Sequence, residues 1–242
     1  MKPLIIFIIT LLSFTPQSLK QSHDVDGVYE DDYFVILRFS PDKQIITCYK
    51  NADGEVIGDF FRLKQHVKST GHEIIFACNG GMFMADLRPL GLYIEDGNTI
   101  MPLNTRSAST NFYMKPNGVF CVMPDGSCTI KTTNDYKMSQ ISPQFATQSG
   151  PMLTINGHIN SKFNPESTSY RVRNGVGVQS NGDVVFILSK IPVNFYELAS
   201  AFQIIGCDNS LFLDGDISDF YCPEIGYTGM FAYMSTFIVV IK

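Results

Sequence analysis

The chain has 242 residues, 45% of them hydrophobic, 17% charged and 12% aromatic with no tryptophan, at a formal net charge of −5. That length and apolar content suit one domain with a full core. No basic block occurs, which argues against nucleic acid as a partner, because phosphate backbones are gripped by clustered Lys and Arg.

At the N-terminus, Lys2 precedes an apolar run over residues 4–14, followed by Thr15-Pro16-Gln17-Ser18. The run is short for a bilayer span and has the layout of a secretory signal, although an Ala-x-Ala cleavage site is missing. Residues 1–20 are therefore expected to be a signal peptide and 21–242 the mature domain, exported to a periplasmic or extracellular space with no membrane contact after cleavage. A retained anchor is the competing reading. Export makes Cys48, Cys78, Cys121, Cys128, Cys207 and Cys222 eligible for disulfides. Cys121 with Cys128 would close the Pro124-Asp125-Gly126 turn, and Cys207 with Cys222 would bracket an acidic stretch. Free buried thiols stay open, because a chain of this size folds without staples.

Residues 33–39 and 44–49 read as strands, 51–54 as a turn and 60–69 as a short helix. The apolar run 73–78 reads as a buried strand ending in Asn79-Gly80-Gly81-Met82-Phe83. Residues 92–95 meet Asp96-Gly97-Asn98, a hairpin signal. Strands follow at 111–114, 118–122 and 128–130, then a small and polar segment turns apolar over 146–153 ahead of the Asn156-Gly157 turn. Residues 176–179 and 184–188 flank Asn181-Gly182-Asp183 as another hairpin. Over 194–202, Phe195, Leu198, Ala199 and Phe202 share one helical face, with Asn194 suited to cap the start and Gly206 the end. Residues 211–213 form a strand running into Asp214-Gly215-Asp216-Ile217-Ser218, and 237–241 forms the last. The pattern predicts a strand-rich α+β single domain, a largely antiparallel or mixed sheet with a few helices.

Polar residues gather where apolar strands end: Asn79-Gly80-Gly81, Gln148-Ser149-Gly150-Pro151, Arg171-Val172-Arg173-Asn174-Gly175 and Asp214-Gly215-Asp216-Ile217-Ser218. A strand fixes its terminal side chain, and glycine lets the backbone turn or approach a ligand closely. Each stretch alone also reads as an ordinary turn. In this order, and with Arg88-Pro89-Leu90-Gly91-Leu92-Tyr93, Ser167-Thr168-Ser169 and Pro192-Val193-Asn194-Phe195, they resemble the phosphodiester glycosidase family. The uncovering enzyme is its best-known member, and the likeness is nearest to bacterial exported members of the exopolysaccharide-biosynthesis-like kind. It covers residues 30 to 240. One departure is that the family usually reads Asp-Gly-Gly-x-Ser where this chain has Asp216 as the third residue.

The resemblance implies an exported hydrolase that cleaves the C1–O bond of a sugar-1-phosphodiester. Such a reaction passes through an oxocarbenium-like transition state, which a carboxylate stabilises or attacks with activated water. Asp214 is the expected carboxylate, with Glu95 or Asp216 as the second. Arg173, helped by Arg171, would clamp phosphate through its planar fork. The Asn79-Gly80-Gly81 backbone would form an anion nest, with Asn79 on a sugar hydroxyl. Gln148, Ser149, Asn174 and Ser218 complete the expected substrate contacts, the serines as positioning groups. The four histidines lie outside these stretches, which disfavours a Ser-His-Asp hydrolase. No cofactor is required, although Asp214, Asp216 and Asp219 offer oxygen ligands to a calcium ion. The rival class is a non-catalytic carbohydrate-binding or cell-surface protein on the same fold.

Overall fold

The structure is a computed structural model that describes residues 25–108, 110–215, 217–230 and 233–242. The strands β1 (Gly27–Glu30), β2 (Phe34–Phe39) and β3 (Gln44–Cys48) lead into helix α1 (Phe60–Ser69) and β4 (Ile74–Asn79). Next come β5 (Tyr93–Glu95), β6 (Asn98–Met101), β7 (Gly118–Val122), β8 (Cys128–Thr132) and the short α2 (Thr133–Ser139). Then β9 (Phe145–Ser149), β10 (Met152–Ile155), β11 (His158–Ile159), β12 (Asn174–Gln179) and β13 (Val184–Ser189) run up to α3 (Phe195–Ile204). They are followed by β14 (Cys207–Phe212), β15 (Phe220–Cys222), β16 (Tyr227–Thr228) and β17 (Phe237–Ile241).

These strands form three antiparallel sheets, in the orders β1-β2-β13-β12-β14-β10-β11, β16-β15-β4-β17-β3 and β6-β5-β9-β7-β8. Strand alternation explains how they close on one another. On β13, Val184, Phe186 and Leu188 join the central core, while Val185 and Ile187 face α3. On β17, Ile238 and Val240 face the core, while Phe237, Val239 and Ile241 face α1. The centre is an aromatic contact set from two sheets, with Phe76 to Phe186 at 4.5 Å and Phe76 to Phe39 at 5.4 Å between ring centroids. Truncating such a ring costs about 3–5 kcal/mol.

Local chemistry fixes the turns and helix ends. Asp96 and Gly97 have φ of 50° and 73°, and Asn156 and Gly157 have φ of 50° and 78°, the paired left-handed geometry that two-residue hairpin turns demand. Helix α3 starts at a full capping box between Asn194 and Glu197 and stops short of Gly206, whose φ is 84°. It packs directly on the sheet because β12 carries glycine there: a Cβ on Gly177 would sit 2.8 Å from the Phe202 ring.

Three expectations are corrected. Residues 111–114 are not a strand: Asn111–Tyr113 is a single 3-10 turn that buries Phe112. Helix α2 has no counterpart in the sequence pattern; seven residues give no apolar period, and its start is secured by Thr132, whose side chain accepts from the Asp135 N–H. The proposed disulfides do not form, and all six cysteines are free. Cys121 lies opposite Thr129 and Cys128 opposite Val122, so the two side chains leave opposite faces of the hairpin. Cys207 packs beneath α3 and Cys222 in the central core. Burial pushes all six thiols upward and holds them uncharged at neutral pH. Among the described residues no helix is long and apolar enough to cross a membrane. The expected signal peptide, residues 1–20, lies outside the described residues.

Candidate active site

Strand ends from two of the three sheets meet at one place. Asn79 closes β4, Asn174 opens β12, Leu213-Asp214 continues β14, and Asp219 precedes β15. Asn79 and Asn174 are fully buried and come together across 95 residues of sequence. The Asn174 Nδ2 donates to Asn79 Oδ1 at 2.8 Å. The Asn79 Nδ2 donates to the Asp214 carbonyl at 3.1 Å, and the same Oδ1 accepts the Asp219 N–H at 3.2 Å. Because a main-chain carbonyl and a main-chain N–H flank the Asn79 amide, its orientation has one solution, and that fixes Asn174 in turn. Ser218 Oγ completes the knot, donating to Asn174 Oδ1 at 3.1 Å and the Asp214 carbonyl at 3.2 Å. Asp214 itself is only half-buried. The cluster thus holds the backbone of Asp214 and leaves its side chain at the edge.

Arg173, the residue before β12, is 2% exposed. Its Nε donates to the Val193 carbonyl at 2.9 Å and its Nη2 to the Ser169 carbonyl at 3.0 Å. The guanidinium stacks 3.9 Å over Phe195 and 5.3 Å from Phe212. The planar fork therefore grips main chain and rings, a positioning use rather than an open phosphate clamp. Phe212 also explains Gly215: a Cβ there would lie 2.5 Å from the Phe212 ring tip. Arg171 is exposed, with Nη1 donating to the Tyr170 carbonyl at 2.8 Å.

The glycines after Asn79 serve packing. The Gly80 N–H donates to the Thr236 carbonyl at 2.7 Å and the Gly81 N–H to Thr147 Oγ1 at 3.2 Å, so neither donor is left to form the expected nest. A Cβ on either would come within 2.5 Å of a neighbouring oxygen. Gln148 is likewise engaged by the protein: Oε1 accepts from the Leu92 and Asn104 N–H groups at 2.9 Å each, while Nε2 donates to the Asn104 carbonyl and Thr133 Oγ1. It ties three segments together and presents no free group to a ligand. Ser149, two positions beyond Thr147 on the same strand face, is fully buried, and its Oγ has no hydrogen-bond partner among the described residues.

Glu95 ends β5. Tyr93 lies opposite Thr147, which puts Glu95 about 13 Å down the ladder from Ser149, at roughly 3.3 Å per residue. Burial raises its carboxyl to about 7, against hydrogen bonds from Tyr93 and the Tyr49 backbone, and Tyr93 Oη donates to it at 2.9 Å. Asp219 uses its carboxylate on the N–H groups of Phe220 at 2.8 Å and Met230 at 2.5 Å. Asp216 lies outside the described residues. Among the described residues no three acidic, histidine or cysteine side chains are gathered as metal ligands.

A family profile for phosphodiester glycosidases matches residues 72–221. In sequence the chain is 39% identical over 184 residues to the uncharacterized protein YigE of Escherichia coli K12, spanning 75% of this chain and 71% of the other. Among solved structures it is similar to the catalytic domain of zebrafish N-acetylglucosamine-1-phosphodiester alpha-N-acetylglucosaminidase, auto-inhibited by its pro-peptide, at a TM-score of 0.60 and 14% identity, covering 88% of this chain and 80% of that one. A Burkholderia pseudomallei protein described as exported gives a TM-score of 0.55 at 9% identity, covering 86% and 74%. At these identities the two structures show the fold.

Proposed function

This chain belongs to the phosphodiester glycosidase family, and within it we propose an exported hydrolase that cleaves the glycosidic C1–O bond of a sugar-1-phosphodiester. Asp214 is the working carboxylate. It stabilises positive charge developing at C1 or takes a proton from the attacking water. Water supplies the new oxygen at C1, and the phosphomonoester leaves with the electrons of the broken bond. Phosphate is a weak base, so its departure asks for little acid assistance. This suits a cluster in which the Asp219 carboxylate is engaged by the Phe220 and Met230 N–H groups and Asp214 is the acid assigned to C1.

The other residues act by placement. Asn79, Asn174 and Ser218 hold the main chain of Asp214 from three sides, which limits the reorganisation that a loosely held carboxylate would undergo during the reaction. Arg173 stacks on Phe195 and Phe212, the ring that lies beneath Gly215. Arg171, exposed two residues away in sequence, supplies the guanidinium that meets the substrate phosphate in this reading.

The knot of Asn79, Asn174 and Ser218 around the Asp214 carbonyl carries this reading, because it spans segments with no local reason to associate. The test is release of free sugar from the methyl phosphodiester of N-acetylglucosamine-1-phosphate, a probe suggested by the activity in the zebrafish protein's name. Wild type releases sugar, and Asp214→Asn releases it at least about 10²-fold more slowly, the scale of a lost acid–base group. Binding without turnover by wild type would favour the non-catalytic glycan-binding class instead.

A further inference from the structure

Next to the asparagine cluster the surface opens into a groove of about 390 Å³ between the start of α1 and the loop after β16. One wall hangs from the cluster itself: the Asp219 carboxylate holds the Met230 N–H at 2.5 Å, and the Asp219 N–H bonds Asn79 at 3.2 Å. The floor is Tyr221 stacked on Phe60, with centroids 6.0 Å apart and planes 24° from parallel. Phe61 and Met230 flank it at 71% and 89% exposure. Large apolar side chains left that open at the mouth of a groove are unusual unless something covers them.

The rim is cationic in a chain whose net charge is −5. Lys64 lines the groove, and Lys68 is exposed one turn further along α1. Neither lysine has an ion-pair partner among the described residues. Two acids stand at the groove and both are engaged: Asp59 accepts the Arg62 N–H at 2.7 Å and faces Arg62 Nε at 3.7 Å, and Asp219 accepts the Phe220 and Met230 N–H groups.

We propose that this groove holds the part of the substrate beyond the scissile bond, and that the substrate is an anionic glycan of several sugar units joined by phosphodiesters. The inference rests on the hydrolase reading above. Sugar-ring faces lie against Tyr221, Phe61 and Met230, and the next phosphate meets Lys64. The volume falls within the range of small-ligand sites, about 300–1,000 Å³, and a lysine pairs with a phosphate as a point charge without strict geometry.

The experiment compares the methyl phosphodiester with a synthetic tetramer of N-acetylglucosamine units joined through C1-phosphodiesters, using the full chain. Wild type is expected to show a kcat/KM at least about tenfold higher on the tetramer, carried by a lower KM and shrinking at high salt. The double variant Phe61→Ser/Lys64→Glu, with both changes on exposed positions, should lose that advantage while keeping its rate on the methyl ester and its melting temperature. Equal wild-type kcat/KM on the two probes overturns the proposal, as does a double variant that still prefers the tetramer. If wild type cleaves neither probe, the hydrolase reading falls, and calorimetric binding decides the groove separately. Tetramer binding that the double variant loses upholds the groove. Absent or unchanged binding, or binding of anionic phospholipid vesicles in place of the tetramer, overturns it.

Discussion

Replacing Asn79 by aspartate changes one atom of the cluster and probes it directly. The Oδ1 side keeps its two donors, Asn174 Nδ2 at 2.8 Å and the Asp219 N–H at 3.2 Å. The other side exchanges an N–H donor for an oxygen facing the Asp214 carbonyl, at the 3.1 Å that the amide now spans. An ionised carboxylate there sets two acceptors against each other in a fully buried position; a protonated one restores the donor. The folded-state pKa of the introduced carboxyl is therefore raised above the unfolded value near 3.9, and about two units is a reasonable size for a burial partly offset by two donors. Each unit is worth about 1.4 kcal/mol, so the variant loses roughly 3 kcal/mol at neutral pH. The sign follows from linkage. Below about pH 4 both states are protonated and the penalty is absent; it grows as pH rises through the folded pKa and is constant above it. Urea unfolding of wild type and Asn79→Asp at about pH 4, 5.5 and 7.5 measures the difference, which cancels titrations the two proteins share. A penalty that does not change across this range would refute the assignment of Asn79 as donor to the Asp214 carbonyl.

The Gly215→Ala change should cost about 1–3 kcal/mol by overpacking, since its Cβ meets a Phe212 ring already held edge-on by Phe195 at 4.8 Å; denaturant melts read it. Ser149→Ala should instead raise stability by about 1 kcal/mol, because an orphan buried hydroxyl is removed, a gain of about 2–4 °C in Tm for a domain of this size; a lower Tm would mean the hydroxyl has a partner. For Glu95, burial raises the folded pKa from 4.5 to about 7, so its contribution to stability is full below about pH 4.5 and is lost as pH rises through about 7. Glu95→Gln should flatten that part of the pH–stability curve and leave sugar release at optimum pH within about threefold, as expected for a carboxyl outside the Asp214 cluster.

Most of the architecture was legible because it rests on short-range chemistry. The Asp96-Gly97 and Asn156-Gly157 turns, the Asn194 cap and the apolar periods of α3 and β17 are all local devices, and each appears where the residues place it. Helix α2 and the turn at Asn111–Tyr113 escaped because tertiary contacts secure them, Thr133 Oγ1 reaching Asn117 and Phe112 filling a fully buried slot. The stretches that meet at Asp214 could also be listed from sequence, since all are polar residues at strand ends. What each does was harder to read. Glycine pairs look alike whether they cradle an anion or admit Thr236 and Thr147, and an arginine looks alike whether it meets a phosphate or a pair of phenylalanines. Those choices are made by partners distant in sequence, 66 and 155 residues away for Gly81 and beyond the next strand for Arg173.

The physical economy of the site explains why it is built from amides. A buried asparagine pair adds little net stability over apolar residues of the same shape, because each hydrogen bond replaces one made to water. Its distinguishing property is direction: with both partners satisfied only in one arrangement, the pair discriminates against every shifted register of β4, β12 and the segment after β14. A leucine pair would hold the same strands together and tolerate slippage of a few tenths of an ångström. The residue whose carbonyl receives both Asn79 and Ser218 is Asp214, so the precision is delivered to the backbone of a half-buried acid. Arg173 applies the same logic from the residue before β12, trading hydration of its guanidinium for two carbonyls and two rings that fix Phe212 under Gly215. A main chain held from both sides in this way is what the proposed reaction asks of Asp214, because an oxocarbenium-like transition state develops its charge at a fixed point.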